Sequence, residues 1–252
     1  MQVSFLDVGD CHSTYFAFSD TTKLLIDAGA GERSTAQYLE TVWTLHQVVI
    51  THPHADHLKS LAELRAKIRR FYSISTIYYP RPCSAQDKPN FDAYYQLRQP
   101  PAGENATKGR VLRQDDTVLV RVLAPATAPA STTTGDELNE ASAIVLVQYR
   151  NRKVLITGDN GPQSMHRFTQ DWNAFSADIL LAPHHGQKSG FLKEFVQHVN
   201  PGYVIISSGS VKNSDAYEDY VPLARHGVRT TRKHGTITFT MNDDGTWTSN
   251  AG

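Results

Sequence analysis

The segment Thr51-His52-Pro53-His54-Ala55-Asp56-His57 places three imidazoles and a carboxylate within a short stretch. These are side chains that zinc, iron and manganese accept as ligands. His52 and His54 stand two apart, so in an extended segment they point the same way. Asp56 and His57 follow as the chain turns toward a helix and can face a second point nearby. Burying four such groups without a cation would be costly, because buried polar groups must be satisfied. The segment follows QVVIT at positions 47–51, an apolar β-branched run expected to form a strand buried on both faces. Sites in α/β proteins lie at the carboxyl ends of such strands.

Three further pieces have the same placement. Gly158-Asp159 follows the apolar run 154–157, and a carboxylate there can bridge two cations, although Gly-Asp after a strand is also a common turn. His184-His185-Gly186 follows ADILLAP. Adjacent side chains in an extended segment diverge, so one imidazole is expected to be a ligand. His184 is favoured for that role, with His185 as its supporting partner or a substrate contact. Asp27 ends the run LLIDAG and either orients a ligating histidine through its free N–H or serves only as a turn aspartate before Gly29.

The elements that must carry these residues read as two halves, each with strands first and helices after. Strands are expected over 3–8, 14–18, 23–27 and 47–51, then a helix whose apolar positions are Leu58, Leu61, Leu64, Ile68 and Phe71. After a strand at 117–123, the Ala/Thr/Pro-rich stretch 124–135 reads as a long surface loop. A hairpin over 143–149 and 153–157 follows. Helices at 164–172, 191–199 and 220–226 then alternate with strands at 179–182 and 203–207. The chain closes on a hairpin turned at 242–245. Strand layers flanked by helices predict an α/β protein, an αββα four-layer sandwich in one domain over residues 1–252. Two sequential α/β domains are the alternative.

Composition narrows the function classes. The 252 residues are 40% hydrophobic and 20% charged, which excludes a disordered tail protein. No apolar run approaches the roughly 20 residues of a membrane span, so no membrane association is expected. MQVSFLDVGD has neither the basic nor the apolar region of a secretion signal. Two cysteines, Cys11 and Cys83, make neither a disulfide framework nor a Cys-based zinc site, and a cytoplasmic location is expected. Twenty-five basic and 25 acidic residues balance to zero net charge, which disfavours tight nonspecific binding to nucleic acid. Arg65, Lys67, Arg69 and Arg70 form one basic cluster, and Arg225, Arg229, Arg232 and Lys233 another.

With these residues in hand, the chain resembles the metallo-β-lactamase fold superfamily. His52, His54, Asp56 and His57 match its HxHxDH element, and Asp27 and Asp159 match two further motifs. Within the superfamily it is similar to the ComEC-type branch, the hydrolase domain of competence proteins. FLDVG at 5–9, NEAS at 139–142, LITGD at 155–159, ADILLAPHHG at 177–186 and the segment 230–237 carry that likeness in order. The resemblance implies an αββα sandwich with a two-metal cleft. His52 and His54 would bind one cation, Asp56, His57 and His184 the other, and Asp159 would bridge them. A metal-bound hydroxide would attack the substrate, with Asp56, Asp159 and His185 as the groups at work on it. Where many members supply a third histidine to the first metal, this chain has Asn139, an incomplete shell for tetrahedral zinc that manganese would tolerate better. Cys11-His12 replaces a Gly-Asp of that branch. His12 is expected at the surface, with an extra ligand role as the alternative.

The expected function is therefore hydrolysis of a phosphodiester by one or two divalent ions, zinc or manganese. Single-stranded nucleic acid is one candidate substrate. Hydrolysis of an ester, thioester or lactone is the enzymatic alternative, and a metal-binding partner module without turnover is the non-enzymatic one.

Overall fold

Strand residues alternate sides strictly in the centre of the molecule. Val154 and Ile156 face one way and Leu155 the other, and Ile179 and Leu181 oppose Leu180 in the same manner. All six are buried, so these strands are covered on both faces. That is why their sequence reads as a continuous apolar run.

The computed structural model describes residues 1–67, 70–71, 74–75, 103–104, 106–129 and 135–251. One sheet holds β1 (Gln2–Phe5), β2 (Thr14–Ala17), β3 (Lys23–Ile26) and β4 (Gln47–Val49). The other holds β5 (Val111–Gln114), β6 (Val118–Ala124), β7 (Ile144–Tyr149), β8 (Arg152–Ile156), β9 (Ile179–Leu181), β10 (Tyr203–Ile206) and β11 (Gly227–Thr230). The closing hairpin, β12 (Ile237–Met241) and β13 (Trp247–Ser249), returns to the first sheet. The orders are β13-β12-β1-β2-β3-β4 and β11-β10-β9-β8-β7-β6-β5.

Side chains from both sheets form the central layer. Val3, Phe5, Phe16 and Ile26 meet Val120, Val145, Ile156 and Leu181 there. Leu25, Val48 and Ile50 turn outward against Leu58, Leu61 and Leu64 of the helical segment after β4. Leu155, Leu180 and Val204 turn outward against Met165 and Phe168 of the helix Pro162–Asp171, and against Phe195 and Val199 of the helix Lys193–Val199. The result is the α/β four-layer sandwich that the sequence predicts.

Pairing direction fixes the site. β3 and β4 are parallel, as are β8, β9, β10 and β11. Their carboxyl ends therefore collect at one edge of each sheet. A hydrogen bond from the Ala143 N–H to the Thr51 carbonyl (2.9 Å) and one from the Ser207 hydroxyl to the Cys11 carbonyl (2.8 Å) join the chain segments at that edge.

Several local expectations are corrected. The helix expected through Phe71 breaks into Ala55–Leu58 and Leu61–Lys67. The Ser60 N–H donates to the Ala28 carbonyl (2.8 Å) instead of continuing the helical ladder. Phe71 belongs to a two-residue strand, Arg70–Phe71, parallel to Thr44–Leu45, and Ile68 lies outside the described residues. The helix expected at 220–226 is Tyr217–Tyr220 followed by a 3₁₀ turn, Val221–Leu223. Pro222 has no N–H to extend it. The first strand ends at Phe5 rather than at position 8. Ala124 closes β6, and residues 130–134 of the expected loop lie outside the described residues.

Phe195 is fully buried, with its ring 5.5 Å from that of Phe168. Phe195→Ala is expected to cost about 3–5 kcal/mol in denaturant unfolding, whereas truncating exposed Val211 to Ala should change stability by less than about 0.5 kcal/mol. Equal effects would contradict this layer assignment.

Candidate metal centre

Asp27 leaves β3 with φ +61°, a left-handed conformation uncommon for aspartate. Its surroundings hold it there. The Asp27 N–H donates to the Val49 carbonyl (2.8 Å), which continues the β3–β4 pairing by one residue. Its carboxylate accepts from the Thr51 N–H (2.7 Å) and hydroxyl (2.8 Å), and Oδ2 lies 2.8 Å from Nδ1 of His57. A carboxylate only accepts, so Nδ1 of His57 carries the proton and Nε2 turns into the cleft. Nε2 lies 3.0 Å from Oδ1 of Asp159.

Asp159 follows β8 through Gly158, which has φ +55°. A Cβ at Gly158 would press within 2.9 Å of Ser142 and Thr51, so glycine is needed both for the turn and for the contact of the two sheet edges. The Asp159 N–H donates to the Ser142 hydroxyl (3.2 Å). Its carboxylate then lies among five imidazoles. Oδ1 faces His57 and His12 (4.0 Å). Oδ2 faces His185 (3.7 Å), His52 (3.9 Å) and His184 (3.9 Å).

His184 and His185 both adopt left-handed backbone, φ +49° and +57°. Their side chains therefore diverge, with ring centroids 6.3 Å apart. Nδ1 of His185 donates to the Ser207 carbonyl (3.0 Å), and Nε2 lies 3.0 Å from Oδ2 of Asp56. Nδ1 of His184 meets the Ser189 hydroxyl (3.1 Å), and its side chain is 21% exposed at the mouth of the cleft. Asp56 is likewise open to solvent, at 34% of its side chain.

Ligand atoms of Asp56, His57, Asp159 and His185 all lie within 4.8 Å of one another. The expected group contained His184 in place of His185. The left-handed turn aims His185 inward and His184 toward the mouth, and Nε2 of each lies within 3.9 Å of Oδ2 of Asp159. His52 and His54 converge separately, Nε2 to Nδ1 at 2.9 Å, with Asn139 buried beside His54.

Sequence reasoning misplaced His12. It is not at the surface but fully buried, with its ring centroid 4.2 Å from that of His185 and 4.7 Å from that of His57. Its N–H donates to the Asp56 carbonyl (3.0 Å), and that backbone bond draws the 9–13 turn into the cleft. Thr51, Ser142 and Ser207 were also missed as supports. Single hydroxyl residues leave no pattern in a sequence, and Ser207 acts on His185 through its carbonyl.

The buried imidazoles and carboxylates of the cleft shift one another's pKa values. Burial opposes charge on His57, but Asp159, Asp27 and Asp56 hold its pKa well above the ordinary range. Burial would raise Asp159, but His57 and His185 hold it well below the usual carboxylate range. Burial, together with neighbouring imidazoles, pushes His12 and His52 well below the ordinary histidine value. Nε2 of His57 and Oδ1 of Asp159 are buried against each other, and both ring nitrogens of His12 are buried without a hydrogen-bond partner. Buried polar atoms are nearly always satisfied. A divalent cation among these donors would satisfy several together, so the residues fit a metal.

Asp27→Ala frees Nδ1 of His57 and should weaken zinc binding about 10–100-fold in chelator competition. A change of less than about twofold would show that packing alone orients His57.

Comparison with known proteins agrees with this architecture. A family model described as the metallo-beta-lactamase superfamily matches residues 6–209. ComE operon protein 3 of Bacillus subtilis (strain 168) is 24% identical over 266 residues, covering 94% of this chain and 33% of that protein, so the chain spans a third of its relative's length. Igni18, a metallo hydrolase from Ignicoccus hospitalis, superposes with a TM-score of 0.59 at 18% identity, over 96% of this chain and 100% of that one. A diphosphatase from the PhnP family superposes with a TM-score of 0.55 at 12% identity, over 96% and 98%. The family match runs from the turn after β1, through the HxHxDH segment, to the loop after β10, and by it this chain belongs to the metallo-beta-lactamase superfamily.

Proposed function

We propose that this chain is a metal-dependent hydrolase of phosphodiesters, working as one unit over residues 1–252. The observation that carries the reading is the buried Asp159 carboxylate, faced by five imidazoles, with Asp56, His184 and His54 partly exposed beside it. One or two divalent cations bound there would lower the pKa of water and neutralise charge developing on a phosphoryl oxygen.

The chain's own residues prepare that chemistry. Asp27 and the Ser207 carbonyl hold the Nδ1 protons of His57 and His185, so that each presents Nε2 to the cleft. His52 and His54, with Asp159, form the other half, where Asn139 replaces an imidazole. His184, steadied by Ser189, takes the substrate-facing role that sequence reasoning gave to His185. It can donate a hydrogen bond to a phosphate oxygen at the mouth.

The phosphodiester class is supported by the PhnP-family diphosphatase among the structural neighbours, and basic residues flank β11. The cluster of four expected from sequence is split by β11. Arg225 precedes that strand, and Arg229 stacks on Tyr203 (5.7 Å). Arg232 and Lys233 follow its carboxyl end, where Thr231 bonds Ser208 (3.1 Å). These two line a groove with Val211, Ser214 and Thr230 but also with Asp215 and Glu218, so its charge is mixed. Arg69 lies outside the described residues.

The test is turnover of bis-p-nitrophenyl phosphate against p-nitrophenyl acetate after loading with zinc or manganese. Phosphodiester cleavage is expected, faster with manganese, because the His52–His54 half lacks a third imidazole. Asp159→Ala should lower kcat/KM more than about 100-fold and Asn139→Ala less than about tenfold. Ready hydrolysis of esters or lactones, with every phosphodiester untouched under both metals, would replace this reading with the ester-hydrolase one. Cation binding without turnover of either class would replace it with the metal-binding partner module.

A further inference from the structure

His12 has no role in the ligand set that the resemblance implies, yet it occupies the least accessible position in the cleft. Its side chain is 1% exposed, and neither ring nitrogen has a hydrogen-bond partner. Nε2 lies 4.0 Å from Oδ1 of Asp159. That is too long for a hydrogen bond. It is, however, the separation of two ligands on one cation: bonds of about 2.0–2.2 Å put ligand atoms roughly 3.3–4.3 Å apart, depending on the angle between them. Oδ1 of Asp159 also lies 3.0 Å from Nε2 of His57, and both atoms are buried. Nε2 of His12 and Nε2 of His57, from two segments of the chain, thus both approach the same carboxylate oxygen of a third. His12 also lies with Asp27 and His57 in a second group whose ligand atoms fall within 4.8 Å, so it adjoins the Asp56–His57–Asp159–His185 group through His57.

Packing alone gives no reason for an imidazole here. An apolar side chain in the same space would leave no polar atom unsatisfied, and a buried unpartnered group destabilises the fold. The backbone holds the residue in place, since the His12 N–H donates to the Asp56 carbonyl and the His12 carbonyl accepts from Gly29 (2.9 Å). A Cβ on Gly29 would meet the Cys11 side chain at 2.6 Å, so the turn is closely fitted to its neighbours.

We propose that His12 is an additional ligand to the cation held by Asp56, His57, Asp159 and His185. The proposal rests on the cation-binding part of the proposed function and is independent of the substrate. It gives that half of the cleft three imidazoles and two carboxylates. Such a nitrogen-rich set favours zinc or cobalt over manganese.

The test uses the whole chain stripped with chelator, with His12→Leu and the amide variant His12→Gln beside it. Zinc affinity is measured by competition, and the visible absorption of bound Co(II) reports coordination number. Both variants are expected to bind the tighter zinc on the order of 10–100-fold more weakly and to show a changed Co(II) spectrum. Metal-free His12→Leu should melt about 2–4 °C above the metal-free parent, because the unsatisfied imidazole is gone. Unchanged affinity and spectrum in the two variants would overturn the His12 assignment alone. A parent chain that binds no zinc or Co(II) would overturn both this proposal and the reading beneath it. If His12→Leu fails to fold, His12→Gln decides by the same readouts.

Discussion

A buried carboxylate amid imidazoles is the constraint on which the cleft depends. Asp159 is 3% exposed in its side chain, and five histidines approach it within 4.0 Å. Removing a carboxylate from water costs several kcal/mol unless charge and hydrogen bonds compensate. Within the protein that compensation comes from His57 and His185, whose pKa values the surrounding carboxylates raise. The arrangement is strongly polar but incompletely paired, since both ring nitrogens of His12 are buried without a hydrogen-bond partner. A divalent cation is the compact positive charge that would complete it.

The rest of the fold brings the pieces of this cluster together from distant parts of the chain. Asp27, His52 and His57 come from the end of one sheet, and Asp159 and His185 from the end of the other. Parallel pairing places all of them at carboxyl ends. Backbone conformation does the final aiming. Asp27, His184 and His185 are all left-handed, as is Gly158. Non-glycine residues in that region cost energy and persist only where the surroundings over-determine them. Here the Val49 carbonyl, the Thr51 hydroxyl and the Ser207 carbonyl do so.

The supports also explain why two histidines of one dipeptide differ in position. His185 is fixed by a buried carbonyl and has one direction available to Nε2. His184 is fixed by an exposed serine and stays in contact with solvent. The same sheet edge thus supplies one group to the interior of the cleft and one to its mouth.

Much of this was determined by local sequence. The apolar runs of β8 and β9 and the turn at Gly158 are written in short-range patterns, because residue polarity and glycine conformation are properties of a few adjacent residues. The grouping of His52, His54, Asp56 and His57 needed no fold to be legible, since the four lie within one short segment. What only the tertiary structure decided depends on backbone sign and on contacts across long sequence gaps. The left-handed turn, not the dipeptide, chose His185 over His184 for the inner position. A bond to the Asp56 carbonyl, 44 positions along the chain, buried a histidine that composition places at the surface. Pairing of β11 against β10 divided a basic cluster that looks continuous in sequence. None of these leaves a periodic trace in the sequence, because each is set by a partner that only folding brings into reach.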